Sequence, residues 1–387
     1  MKTIVHVCLT GPYTDGLTYQ ENLLAKYHVK IGYDVSILAS QYQWGINNNL
    51  EKYTNTKYIN QHGVRVFRLP LLYGTINTRL KWYIGMYKQL ELLQPNILFV
   101  HGCQFLNIFT IVRYLKQHPN VKVYVDNHAD FSNSATNWLS KNILHKFLWR
   151  ICAKAIEPYT TKFYGVLPAR VDFLKNIYKL PIKKCELLVM GADDEMVEKS
   201  NNPEVRTQIR KQHNISDDDF LIVTGGKIDK AKKQTLLLMQ AVKQIQNSKL
   251  NLIVFGSVEK DLKQKIQEMV DGKKIQYIGW IDSHDSYLFF SAADLVCFPG
   301  RHSVFWEQVV GQGIPLVVKD WQGTHHIDVG GNVAFLKQDT IEEIQQIIEE
   351  LVNKSEKYQK MKQIARQKGM KNFSYEDIAR RSINKED

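Results

Sequence analysis

The stretch Asp294–Lys319, DLVCFPGRHSVFWEQVVGQGIPLVVK, reads as strand, glycine turn, helix and strand. An apolar β-rich run ends at Pro299-Gly300, an amphipathic segment follows, and IPLVVK (314–319) is strand-like again. Strands joined through a helix lie parallel in one sheet, covered on both faces. Within the helical part Glu307 stands between Trp306 and Gln308, in what reads as buried helix. Burying an unpaired carboxylate costs several kcal/mol or forces it to take a proton. Either Glu307 faces a cleft where something binds it, or it has a partner inside the fold.

The same alternation extends outward on both sides. FLIVTGG (220–226), LNLIVFG (250–256) and KIQYIGW (274–280) are strands, and QTLLLMQAVKQIQ (234–246) is a helix between them. The tail from Thr340 to Gly369 reads as helix, and SYEDIARRSI (374–383) as a last one. In the first half TIVHVCL (3–9), DVSILA (34–39), VRVFRL (64–69), NILFVHG (96–102) and VKVYVDNH (121–128) read as strands, and KFYGVLP (162–168) and CELLVMGAD (185–193) follow them. Helical segments such as 18–32 and 105–118 lie between them. A polar stretch after residue 192 is the natural boundary. With 387 residues, more than one core usually holds, the expectation is two Rossmann-like α/β domains, 1–192 and 193–370. A terminal segment, 371–387, packs back on the first.

The composition is that of a globular protein, 44% hydrophobic and 23% charged. Five scattered cysteines without a C-x-x-C suit reduced thiols and a cytoplasmic protein. The opening TIVHVCLTG is too short and strand-like for an export signal. Residues 1–190 hold 23 Lys+Arg against 10 Asp+Glu, whereas residues 191–387 hold 28 against 29. The whole positive excess lies in the first half, which suggests an anionic partner there. The segments 137–154 and 77–90 mix Lys and Arg with Trp, Leu and Tyr, a pattern that suits an anionic membrane surface as well as an ordinary domain helix with a basic outer face. No nucleic-acid-binding motif accompanies the charge.

In parallel sheets, ligands gather at the carboxyl ends of strands, where glycine turns lead into helices. TGPYTDGLT (10–18) puts Gly11 and Gly16 after the first strand; it is not a G-x-G-x-x-G fingerprint, so a nicotinamide cofactor is not expected. TGGKIDKAKKQ (224–234) follows Gly225-Gly226 with Lys227, Lys230, Lys232 and Lys233. Clustered ammoniums at a strand end suit a diphosphate; the plainer reading is a solvated lysine run. No Walker A loop is present. In GRHSVFWEQVVGQG (300–313), Ser303 is a candidate N-cap whose neighbouring N–H groups, with those of Val304, would seat a phosphate. Glu307, ionised and therefore only an acceptor, would then meet sugar hydroxyls such as those of a ribose.

With these motifs in hand, the chain resembles the family-four retaining glycosyltransferases of the GT-B fold, two Rossmann-like domains facing a central cleft. In that resemblance Lys227 stands where the family has an Arg, and Lys232 or Lys233 where it has a Lys, with Gly226 in the same loop. Gly279, Trp280 and Ile281 of YIGWID border the base. Glu307 matches the second glutamate of a Glu-x7-Glu signature, and His128 of VDNHADF lies near the transferred sugar. Pro299 occupies the place of the first glutamate, and the loop offers Arg301 and His302 instead. The resemblance implies transfer from a nucleotide diphosphate sugar to an acceptor hydroxyl on a glycan or lipid carrier, in bacterial surface polysaccharide or glycolipid synthesis. His128, Lys227 and Glu307 would carry it, with retention and with neither metal nor further cofactor. It also implies a cytoplasmic place, peripheral on the inner face of the membrane. The alternative is a catalytically silent partner subunit that keeps the fold. His325, His326 and Asp328 read as a loop more readily than as metal ligands. His101 lines a cleft or sits over the sheet, and Asp126 or Asp130 orients His128 or caps the next helix.

Overall fold

A computed structural model describes residues 1–45, 49–73, 80–229, 233–353 and 355–384. The chain divides into two compact units, one of residues 1–189 with 378–387, the other of residues 190–377. The structure is α/β in both.

The first unit is built on strands β1 (Thr3–Cys8), β2 (Asp34–Ser40), β3 (Lys57–Ile59), β4 (Arg65–Leu69), β5 (Ile97–His101), β6 (Lys122–Asn127), β7 (Thr160–Gly165) and β8 (Cys185–Leu187). They form one sheet in the order β8-β7-β6-β5-β1-β2-β4-β3. All neighbours run parallel except β3, an antiparallel edge strand on β4 that the sequence pattern did not disclose. In the stretch 185–193 only Cys185–Leu187 pairs, on one side, with β7. Central strands such as β1 and β5 are apolar on both faces, as parallel strands between helix layers must be. Val5, Val7, Leu98, Val100, Val123 and Val125 supply one core; Ile37, Val35, Ala25 and Val66 supply another on β2 and the helix Gln20–Lys30.

The second unit carries β9 (Phe220–Gly225), β10 (Leu250–Phe255), β11 (Ile275–Tyr277), β12 (Leu295–Phe298), β13 (Leu316–Lys319) and β14 (Val333–Leu336). The order is β11-β10-β9-β12-β13-β14, every pair parallel. Asp294, at the foot of β12, accepts from Leu221 N–H at 2.9 Å and pairs with the buried Arg210 at 3.3 Å, which ties the helix Pro203–Gln212 to the sheet. The tail read as helical from Thr340 to Gly369 carries the α-helices Ile341–Val352 and Glu356–Ile364, the second running on into a π-helical stretch, Ala365–Gly369. Each has its own start: Thr340 Oγ1 accepts from Glu343 N–H at 3.2 Å, and Ser355 Oγ accepts from Tyr358 N–H at 3.3 Å.

Candidate donor site and the His128 strand end

The strand order of the second unit runs one way from β9 to β11 and the other way from β12 to β14. Its reversal lies between β9 and β12, which pair through Ile222–Leu295 and Val223–Val296. The carboxyl ends of these two strands open into the lysine loop and into the 299–304 loop. The two motifs singled out in the sequence, 224–234 and 300–313, therefore stand side by side at the position where doubly wound sheets bind ligands.

Three glycines bring the backbones together there. Gly226 N–H donates to Phe255 O at 3.1 Å, and Gly256 N–H to Gly279 O at 2.6 Å. A Cβ on Gly256 would lie 2.0 Å from Gly226 O, and its φ of +118° already favours glycine. Gly279, at the end of β11, has φ +79° and delivers Trp280 and Ile281 to the loop; Trp280 is 68% exposed. Lys227 Nζ lies 3.6 Å from Asp229 Oδ2 and is mostly open to solvent. Lys233 is exposed as well, whereas Lys230 and Lys232 lie outside the described residues.

The 300–307 segment departs from expectation at two points. Helix Phe305–Gly311 begins after Val304, not directly after a Ser303 cap, although Ser303 Oγ stands 3.5 Å from Phe305 N–H. Glu307 is fully buried, and its carboxylate has partners inside the fold. His302 Nε2 donates to Glu307 Oε1 at 2.8 Å and His326 Nε2 donates to the same oxygen at 2.9 Å. Burial alone would raise the carboxyl, but the His302 and His326 bonds outweigh it and hold Glu307 at about 2, ionised at any physiological pH. Oε2 is buried with no partner among the described residues. The carboxylate expected from the sequence to face a ribose is closed to solvent in this structure, with Oε1 held by two histidines and Oε2 unpaired among the described residues. Arg301, His302 and Ser303, which precede Glu307 in the chain, are partly exposed. The helix is fixed from behind, where Gln308 Nε2 donates to Ser286 Oγ at 2.9 Å and Gln312 Nε2 donates to Tyr287 O at 3.0 Å. His325 bonds Asp320 at 2.6 Å, so the two adjacent histidines serve different carboxylates.

Residues 205–368 match the family model of glycosyl transferases group 1. The second unit is a group 1 glycosyl transferase domain. Around this transferase domain the whole chain keeps the same architecture as several solved structures. One is a glycosyltransferase from Rickettsia africae, at 13% identity and TM-score 0.69, covering 99% of this chain and 97% of that one. Another is Anabaena Alr3699/HepE in complex with UDP, at 14% identity and TM-score 0.70, covering 98% of each chain. A third is WaaG, a glycosyltransferase involved in lipopolysaccharide biosynthesis, at 13% identity and TM-score 0.61, covering 98% of each. No curated protein sequence matches the chain.

In the first unit the strand order reverses between β1 and β5, and the carboxyl ends there carry the 10–18 loop and His101-Gly102. Gly16 has φ +77°, while Gly11 lies in ordinary backbone. Thr10 Oγ1 donates to His101 O at 3.0 Å. Next to them β6 ends at Asn127 and delivers His128, whose side chain is 38% exposed and whose Nε2 lies 3.3 Å from Asp126 Oδ2. Asp126 is therefore the carboxylate beside His128; Asp130 is engaged by Ser132 and, at 3.1 Å, by Arg170.

Two groups were not legible beforehand. Lys81, read from its sequence as part of a basic outer face, is buried, donates to Thr10 O at 2.8 Å, and is lowered by that burial to about 8. His6 sits within β1 in hydrogen-bonding distance of two other buried histidines. A signal for it existed in TIVHVCL: a polar ring in a strand buried on both faces needs a partner.

Proposed function

We propose that the protein transfers a glycosyl group, with retention, from a nucleoside diphosphate sugar to an acceptor hydroxyl. The observation that carries this is the meeting of the lysine loop and the 299–304 loop at the strand reversal of a group 1 transferase domain. Negative charge grows on the leaving diphosphate. Lys227 and Lys233 at the strand end supply mobile cations, and the N–H groups of Ser303 and Val304, which no bond among the described residues occupies, supply fixed dipoles. Charge stabilisation of this kind needs no metal. Gly279, Trp280 and Ile281 border the base, and Arg301 and His302 read the sugar. Glu307 holds His302 and His326 in place, a positioning role. His128, kept oriented by Asp126, serves the reacting sugar. The bound UDP of the Anabaena protein supports a nucleoside diphosphate as the leaving group.

The acceptor is proposed to be lipid-linked, in bacterial surface polysaccharide or glycolipid synthesis, with the protein peripheral on the cytoplasmic face of the membrane. The segment 137–154 supports this in a form the sequence did not disclose. Leu144 and Leu148 pack toward the core and Trp149 is buried. The outward residues are Trp138, Leu139, Ile143, Phe147 and Ile151, with Trp138 71% and Phe147 64% exposed. Leu139, Ile143, Phe147 and Ile151 recur every four residues, with Trp138 beside the first, among Lys141, Lys146, Arg150 and Lys154. An apolar stripe flanked by cations suits an anionic bilayer surface, where each Lys or Arg adds about 1 kcal/mol. Among the described residues no helix is long and apolar enough to cross a membrane.

A second reading, a silent partner subunit, is favoured by Pro299 in place of the signature's first glutamate and by the closure of Glu307 to solvent. One experiment separates the two: release of nucleoside diphosphate from a panel of nucleotide sugars, with and without membrane extract. Turnover that falls on Lys227→Ala establishes the enzyme; nucleotide binding without turnover on any donor establishes the partner.

A further inference from the structure

A continuous line of buried imidazoles crosses the first unit. His28 Nε2, on the helix Gln20–Lys30, lies 3.2 Å from Ala379 O and 3.0 Å from Ser382 Oγ of the C-terminal helix. His28 Nδ1 lies 2.9 Å from His6 Nε2, and His6 Nδ1 lies 2.9 Å from His101 Nε2. His101 Nδ1 lies 2.7 Å from Asp126 Oδ2, the oxygen that also faces His128. His6, His28, Asp126 and Ser382 are closed to solvent and His101 nearly so. His6 stacks on His101 and Phe99, with ring centroids 5.2 and 5.4 Å apart.

Each nitrogen–nitrogen contact needs one proton and only one, so the direction of any link dictates the next. The ends decide which direction is drawn. Ala379 O is a carbonyl and accepts only, and Ser382 Oγ already donates to it at 2.8 Å. His28 Nε2 therefore carries a proton, its Nδ1 is bare, and His6 donates through Nε2. His6 Nδ1 is then bare and takes the Nε2 proton of His101. At the other end Asp126 is held well below the ordinary carboxylate range: burial opposes this, but His101 and His128 outweigh it. An ionised Asp126 accepts only, so His101 Nδ1 is protonated too. Both nitrogens of His101 thus carry hydrogen. Burial lowers His28, to about 3, and lowers His6, whereas Asp126 and its bond raise His101 against burial. Among the described residues the other titratable groups around the line include Cys8, Cys103, Glu21 and Tyr33, and Glu21 acts in the same sense as Asp126 on His101.

We propose that His101, His6 and His28 form a single proton-ordered chain through which the seating of the C-terminal helix fixes His101 as an imidazolium and Asp126 as the oriented carboxylate that positions His128. His101 and its two followers are positioning residues, acting on the site through Asp126. This rests on the role of His128 given above, and the direct readout is independent of turnover.

The test is long-range ¹⁵N–¹H correlation of the full-length protein labelled in histidine, near neutral pH. The expected result is His101 protonated on both nitrogens, with His6 and His28 protonated on Nε2. A neutral His101 carrying its proton on Nδ1, with His6 and His28 also on Nδ1, overturns the proposal. Ser382→Ala removes a hydroxyl that could feed the reverse polarity and leaves the Ala379 carbonyl, so His101 keeps its second proton to equal or higher pH; a fall in its titration midpoint counts against the chain. His6→Phe strands the His101 Nε2–H without an acceptor and lowers that midpoint by about one to two pH units. Where turnover is measured, its basic limb moves down by the same interval with KM for the donor unchanged, and a limb that stays in place overturns the link to His128. A protein without turnover leaves the labelled-histidine result standing as the decision.

Discussion

Replacing Glu307 by Gln isolates the electrostatics of the transferase domain. The carboxyl is held at about 2 against an ordinary 4.5, inside a fully buried site. At ~1.4 kcal/mol per pH unit, the preference for the ionised form is worth roughly 3 kcal/mol of folding stability. Because the folded value is depressed, that contribution is present above about pH 4.5 and is lost as pH falls toward 2. The amide introduced by Glu307→Gln keeps an oxygen for His302 and His326 but places an unpaired N–H₂ where Oε2 already has no partner among the described residues. Denaturant unfolding followed by tryptophan fluorescence, with Trp306 adjacent and buried, measures the gap between the two proteins. The gap should be about 2–4 kcal/mol at pH 7 and shrink steadily below pH 4.5. A gap that is absent at pH 7, or identical at pH 3 and pH 7, refutes the assignment of the histidine-held carboxylate as the cause.

Lys227→Ala should weaken nucleoside diphosphate binding about tenfold by calorimetry, the worth of one charge-assisted bond, while leaving the melting temperature within a degree or so, because its only described ion pair is solvent-exposed. Gly256→Ala should destabilise the second unit by about 2 kcal/mol or more, or prevent soluble expression, since its Cβ meets Gly226 O at 2.0 Å. Phe147→Glu should abolish sedimentation with anionic vesicles at low salt without changing nucleotide binding; unchanged sedimentation would remove the stripe from the membrane reading. His128→Ala should leave nucleotide affinity intact and depress transfer at least a hundredfold in a radiolabelled-sugar assay, the usual worth of a positioned acid–base group.

The glycine-ended strands were legible because short continuous apolar runs and their turn residues are local properties. With β9 and β12 as strands of a parallel sheet, their loops were bound to open on the same edge, so the meeting of the lysine loop and the 299–304 loop could be anticipated from the sequence. The environment of Glu307 could not. Its partner His326 comes from a turn 19 residues downstream, beyond β13, and nothing in HHID distinguishes a histidine turned to a carboxylate from one turned to solvent. The exposed stripe on 138–151 was hidden for a related reason. Leu144, Leu148 and Trp149 are as apolar as Ile143, Phe147 and Ile151, and the choice between them depends on which face the core takes.

Residue order therefore dictated the alternation of strand and helix, the two-unit α/β plan, and the edge of each sheet on which glycines, lysines and His128 would gather, because these follow from short-range periodicity and from the handedness of parallel crossovers. Which polar atoms meet was settled in three dimensions. His6 and His101 are 95 residues apart and His28 and Ser382 are 354 apart, yet each pair is joined by one hydrogen bond. A proton's place along such a line depends on every acceptor at both ends, and those ends are brought together by packing.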